Sequence, residues 1–134
     1  MTHHGKPVTF DQPREILGMG GPWAGTLTWD GVPVADDVLI DSAVVDDRRG
    51  YLYFVRHYAP TRWRSDVFFR VCRLGSDPVS ACEIRDSQSL TPPQIRLIDG
   101  GLYVRAGTVG YGRLLDPDDC ASSDQIGAHR PGAV

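Results

Sequence analysis

Asparagine is absent from this 134-residue chain, and lysine and glutamate are nearly so. Lys6 is the one lysine among 14 basic residues, and Glu15 and Glu83 are the two glutamates among 17 acids. Such an arginine bias looks like a GC-rich bacterial coding sequence, so the number of arginines by itself carries no message about phosphate recognition. With a net charge of −3 the chain also lacks the basic footprint of a general nucleic-acid binder. No run approaches the ~20 apolar residues that cross a bilayer, which argues against a membrane partner. The opening, Met1-Thr-His-His-Gly-Lys-Pro7, has no apolar signal core because Pro7, Asp11, Pro13 and Arg14 interrupt it, so the expected location is cytoplasmic.

Cysteine is scarce too. Cys72, Cys82 and Cys120 are an odd set without C-x-x-C spacing, which excludes a zinc site, and no metal or cofactor is expected. Cys72 and Cys82 flank the turn Gly75-Ser-Asp-Pro78 and are placed to face each other across a hairpin; in a cytosolic chain they read as buried, reduced thiols. No window sustains a 3.6-residue apolar period, which leaves at most one helical turn at Arg14–Leu17.

What the chain does contain is strand pattern. Trp23, Gly25, Leu27 and Trp29 alternate with Ala24, Thr26 and Thr28, the period-2 signature of a half-buried strand, and Asp30-Gly31 is a strong hairpin signal. Further strands are predicted at Val38–Val45, Tyr51–Tyr58, Asp66–Leu74, Val79–Arg85, Ile95–Ile98, Leu102–Arg105 and Val109–Leu115, with a turn about Asp99-Gly-Gly101. About eight strands at this spacing predict an all-β chain, an antiparallel meander closed into a barrel or sandwich. The expected organisation is an extended lead-in over residues 1–20, one β domain over 21–115 and a flexible tail over 116–134.

Two charged stretches stand out. Arg56, His57, Tyr58, Arg62, Trp63, Arg64, Arg70 and Arg73 combine guanidinium groups with aromatic faces, residue types that dominate protein interfaces. Asp36, Asp37, Asp41, Asp46 and Asp47 form an acidic complement; their spacing is not that of a calcium loop, and they suit long-range steering of a basic partner. The plain alternative for both is a solvated sheet face with Trp63 packed onto it. Gly21-Pro22-Trp23 is similar to the G-x-W signature of lipocalin-like barrels. That resemblance implies a small-ligand cavity, with Trp23 at one end and Arg105 or Arg113 over it. For catalysis, His57 is the one histidine outside the chain ends. It would need Ser42, Ser65, Cys72 or Cys82 as nucleophile, yet no nucleophile elbow or phosphate loop is present.

The leading expectation is a protein-binding module. In size, acidity and lack of catalytic machinery the chain resembles bacterial immunity proteins, which occlude the active site of a toxin or effector enzyme. The expected partner-binding residues are Asp36, Asp37, Asp46 and Asp47 for steering and Tyr58, Arg62, Trp63 and Arg64 as anchors. The lipocalin-like binder and a small hydrolase are the alternatives.

Overall fold

The structure, a computed structural model, describes residues 1–16, 22–58, 68–106 and 112–122. Within them run twelve strands: β1 (Thr2–His3), β2 (Lys6–Glu15), β3 (Trp23–Trp29), β4 (Val32–Leu39), β5 (Val44–Asp46), β6 (Tyr51–Tyr58), β7 (Phe68–Leu74), β8 (Cys82–Ile84), β9 (Gln94–Ile98), β10 (Gly101–Arg105), β11 (Arg113–Leu115) and β12 (Cys120–Ser122), with one 3-10 turn at Pro78–Ser80. The protein is all-β and antiparallel, as its sequence pattern predicts. Among the described residues no helix is long and apolar enough to cross a membrane.

Turn chemistry sets the hairpins. Asp30-Gly31 (φ 51° and 79°) joins β3 to β4, and Asp99-Gly100 (φ 50° and 81°) joins β9 to β10. Both pairs adopt left-handed backbone, which Gly and Asp tolerate and which matches strand twist. His4-Gly5 (φ 51° and 73°) makes a third hairpin that sequence pattern did not indicate. The stretch expected as a lead-in is therefore part of the sheet: β2 pairs with β3 from Val8↔Trp29 to Glu15↔Trp23. It escaped the pattern because Val8 is its one buried residue and Pro7 and Pro13 interrupt it; β1 covers only Lys6 and Pro7 of its outer side, so Pro13 gives up no ladder bond to β1. The predicted Val38–Val45 strand is also corrected. Asp41 takes a positive φ of 64°, and the chain breaks there into β4 and β5.

Nine strands form one sheet in the order β1-β2-β3-β4-β6-β7-β8-β12, with β5 also on β6; β11-β10-β9 form a second. Successive residues of β6 and β7 point to opposite faces, and both faces are covered. On one, Leu52, Phe54, Cys72 and Leu74 pack with Val8, Leu27, Trp29, Val34 and Val38, so the β1–β4 half curls over β6 and β7. On the other, Tyr53, Val71 and Ile84 meet Leu102, Val104 and Leu115 of the small sheet. Burial on both faces is why Tyr51–Val55 reads as an unbroken apolar run; each such side chain removed from water contributes roughly 1.5–3 kcal/mol. The curl is tied where its ends approach: His3 Nε2 bonds the Gly75 carbonyl (2.7 Å), and the Trp29 indole donates to the His3 carbonyl (2.9 Å). His3, placed in a flexible end by sequence, is 2% exposed.

The cysteine expectation also changes. Cys82 forms a disulfide with Cys120, not a reduced thiol opposite Cys72. Register decides it: Cys72 pairs with Glu83 and Arg73 with Cys82, so Cys72 and Cys82 point to opposite faces of the sheet. Cys72 remains a buried free thiol. The part of the expected tail that lies in the described residues is anchored, since β12 pairs with β8.

Candidate functional site

Two β-bulges shape one end of the large sheet. In β2 the register shifts between Asp11 and Arg14, with Gln12 at φ 53°; in β4 it shifts opposite Gly25–Leu27, with Asp37 at φ 59°. The bulges flank β3 on either side and re-aim polar side chains toward each other. Gly25 lies between them, where a Cβ would come within 2.6 Å of the Asp11 carbonyl oxygen. The result is an open cleft of about 390 Å³ lined by Gln12, Arg14, Gly25, Thr26, Asp36 and Asp37. Arg14 is ion-paired with Asp37, and the Thr26 hydroxyl donates to Asp36 (2.9 Å).

Arg56 connects this cleft to Tyr58 by donating from Nε to the Asp36 carbonyl (2.8 Å). Arg56 and Arg70 are direct cross-strand partners, and their guanidinium carbons lie 4.8 and 5.6 Å from the centre of the Tyr58 ring. Like charges in opposed positions repel. Here the ring's π face and the Arg70–Glu83 ion pair (2.9 Å) offset that repulsion. Burial, with Cys72 and Glu83 nearby, pushes the Tyr58 hydroxyl well above its usual pKa. Its oxygen lies 4.0 Å from Cys72 Sγ, and burial raises the Cys72 thiol to about 12, so both groups are neutral. The arrangement stacks two arginines on one tyrosine, with the Glu83 and Asp36 residues beside them.

His57 sits on the reverse side of the same strand. It is 6% exposed, packs on Phe69 (ring centres 5.3 Å apart), and its Nε2 has no hydrogen-bond partner among the described residues. Burial first, then the Arg14 and Arg56 charges, lower its pKa and keep it neutral. It meets none of the nucleophiles considered from sequence. The Ser42 hydroxyl accepts the Val55 amide, Cys82 is oxidised, Cys72 faces the other side, and Ser65 lies outside the described residues. Three or more metal-ligating side chains do not gather anywhere among the described residues.

Asp36, Asp37 and Tyr58 thus gather at this end, while Arg62, Trp63 and Arg64 lie outside the described residues. Asp46 and Asp47 do not join them. Asp46 pairs with Tyr51, and seven residues of strand put Tyr58 about 23 Å further along. Asp46 is 4% exposed and accepts from the Tyr53 hydroxyl (2.7 Å) and Arg49 (2.8 Å), so it is a structural residue; Asp47 is exposed. Trp23, on the large sheet, is 48% exposed, and the interior is filled by Trp29 instead. Arg105 and Arg113 are on the small sheet, bonded to Gln94 Oε1 (2.8 Å) and the Gln88 carbonyl (3.1 Å). Arg14, Thr26 and Glu83 were missed by sequence. Pro13 was the local signal of irregularity beside Arg14; no local pattern singled out Thr26 or Glu83.

No known protein family matches the chain, and no curated protein or solved structure shows a significant likeness to it.

Proposed function

We propose that this chain is a protein-binding module that docks through the Tyr58 end of its large sheet, and that it acts as an inhibitor or immunity protein occluding the active site of a bacterial toxin or effector enzyme. The observation that supports the docking surface is the Arg56–Tyr58–Arg70 stack with Glu83, held beside the Arg14–Asp37 cleft. Tyrosine and arginine give large contact area, and here the fold holds them before a partner arrives, which lowers the ordering cost of binding. Asp36 and Asp37 supply steering charge for a basic active site.

The test pairs the protein with the product of the neighbouring open reading frame and measures affinity by calorimetry and association by stopped flow. Tyr58→Ala is expected to weaken binding at least 30-fold, the scale of an interface hot spot. Asp36→Ser with Asp37→Ser is expected to slow association about tenfold at low salt, and Asp47→Ser, at the far end, to change neither. Thermal melts confirm that each variant folds. Unchanged binding in folded Tyr58→Ala and the Asp36/Asp37 double variant would remove the docking assignment.

A further inference from the structure

Cys82 and Cys120 belong to two strands of three residues each. Ser122 faces Cys82 and Cys120 faces Ile84, so the two cysteines are diagonal neighbours on one face. Their Cα atoms are 5.8 Å apart, within the range a disulfide requires without backbone movement. The bond closes a loop with a sequence separation of 38, and that loop contains the whole small sheet, β9 to β11. Thus the covering layer over Tyr53, Val71 and Ile84 is held at both ends of its own segment by a single crosslink.

Beside it, Arg73 donates to the Pro117 carbonyl (2.6 Å), the Tyr51 hydroxyl to Asp118 (2.8 Å) and the Arg85 amide to the Asp119 carbonyl (2.9 Å), all without a covalent link. The β8–β12 ladder spans three residue pairs, and the Arg85–Asp119 ion pair joins side chains that are 61% and 52% exposed. The Arg73–Asp118 pair is long at 3.8 Å. Exposed pairs of this kind contribute little. Meanwhile Cys82 is 7% exposed and Cys120 packs against the Tyr53–Leu102 core, so the bond is shielded from exchange. The third cysteine, Cys72, is fully buried on the opposite face of the sheet and cannot reach it.

We infer that Cys82–Cys120 is a permanent structural crosslink and that the chain matures and works in an oxidising compartment, in place of the cytoplasm its opening residues suggested. In a glutathione-buffered cytosol a bond of this kind does not accumulate. Its formation takes two protons and two electrons from the Cys82 and Cys120 thiols. The acceptor is the disulfide of a thiol–disulfide oxidoreductase, which leaves as a dithiol.

The test is differential alkylation of the full chain in cells of its native organism, quenched in acid, denatured, blocked with maleimide, then reduced and labelled with a second reagent. The expected result is first-reagent label on Cys72 alone. The tryptic peptide of residues 74–85 then travels crosslinked to the peptide that begins at Leu114 until reduction. First-reagent label on all three cysteines would overturn the inference. A second measurement asks whether the bond is structural: reduced wild-type protein, or the Cys82→Ser/Cys120→Ser variant, should show a folding equilibrium constant lower by two to three orders of magnitude. Equal denaturant midpoints for oxidised and reduced protein would refute that part. A variant too unstable to fold leaves the alkylation pattern to decide the compartment.

Discussion

Replacing Asp46 by Ala separates a structural acid from a steering one. The Tyr53 hydroxyl is buried in a wholly inaccessible side chain and donates to Asp46 Oδ2 at 2.7 Å. Removing that acceptor leaves a buried donor unpaired, at a cost of about 1–3 kcal/mol. The Arg49 pair, with an arginine side chain 35% exposed, adds about 0–1 kcal/mol. Loss of the Asp46 Oδ1 bond to the Arg49 amide (3.3 Å) loosens the turn that carries it. Together these come to about 1–4 kcal/mol. With a urea dependence of ~2 kcal/mol per molar, the unfolding midpoint should fall by about 0.5–2 M, followed through the fluorescence of buried Trp29. Asp47→Ala, one residue on and exposed, should stay within about 0.5 kcal/mol of wild type. A pH arm tests the same network. Burial raises the Asp46 carboxyl, but the Tyr53 and Arg49 hydrogen bonds outweigh it and hold the pKa below its ordinary 3.8. A depressed carboxylate contributes stability above the unfolded pKa and loses it as pH falls through the folded one. The gap between wild type and Asp46→Asn should therefore be full at pH 6 and shrink below about pH 4. Midpoints that agree for the Asp46 and Asp47 variants would refute the reasoning.

His57 and His3 both have pKa values lowered from 6.5 chiefly by burial, so the unfolded chain binds protons first as pH falls and stability drops below about pH 6.5. His57→Leu, which also removes an Nε2 without a hydrogen-bond partner among the described residues, should gain stability relative to wild type as pH goes from 7 to 5; a pH-independent difference in melting temperature would count against this. Gly112 has φ +93°, and a Cβ there would run into the Val104 carbonyl across β10–β11. Gly112→Ala should cost about 2 kcal/mol or more in urea titration, and a cost below 0.5 would contradict the strain. Trp29→Phe removes the indole donor to His3 and leaves a void in the curled core. It should cost about 2–4 kcal/mol by calorimetry and raise amide exchange in β1.

Much of the fold was legible because period-2 alternation and Asp-Gly turns are local. The Trp23–Trp29 strand, the Tyr51–Tyr58 strand and the hairpins at Asp30-Gly31 and Asp99-Gly100 each follow from a few neighbouring residues. β2 was not legible, since it buries only Val8 and so shows no alternation, and its His4-Gly5 turn lacks the usual Asp or Asn. The break at Asp41 was masked by the Val38–Ile40 and Val44–Val45 runs on either side, although Asp41 and Ala43 are themselves poor strand formers.

For the candidate site, sequence alone identified the residue types: arginine with tyrosine, and clustered aspartates in a chain with only two glutamates. It could not say which of them meet. Asp36 and Asp46 look equivalent along the chain, yet one lines an open cleft and the other is buried under Tyr53, because a bulge and a strand register set where each carboxylate points. The same holds for the cysteines. Their number was plain from the start, but whether Cys82 faces Cys72 or Cys120 depends on a one-residue register between β7 and β8 and on the distant return of β12. Local pattern determined the central strands; long-range register, which no local pattern encodes, decided the pairs.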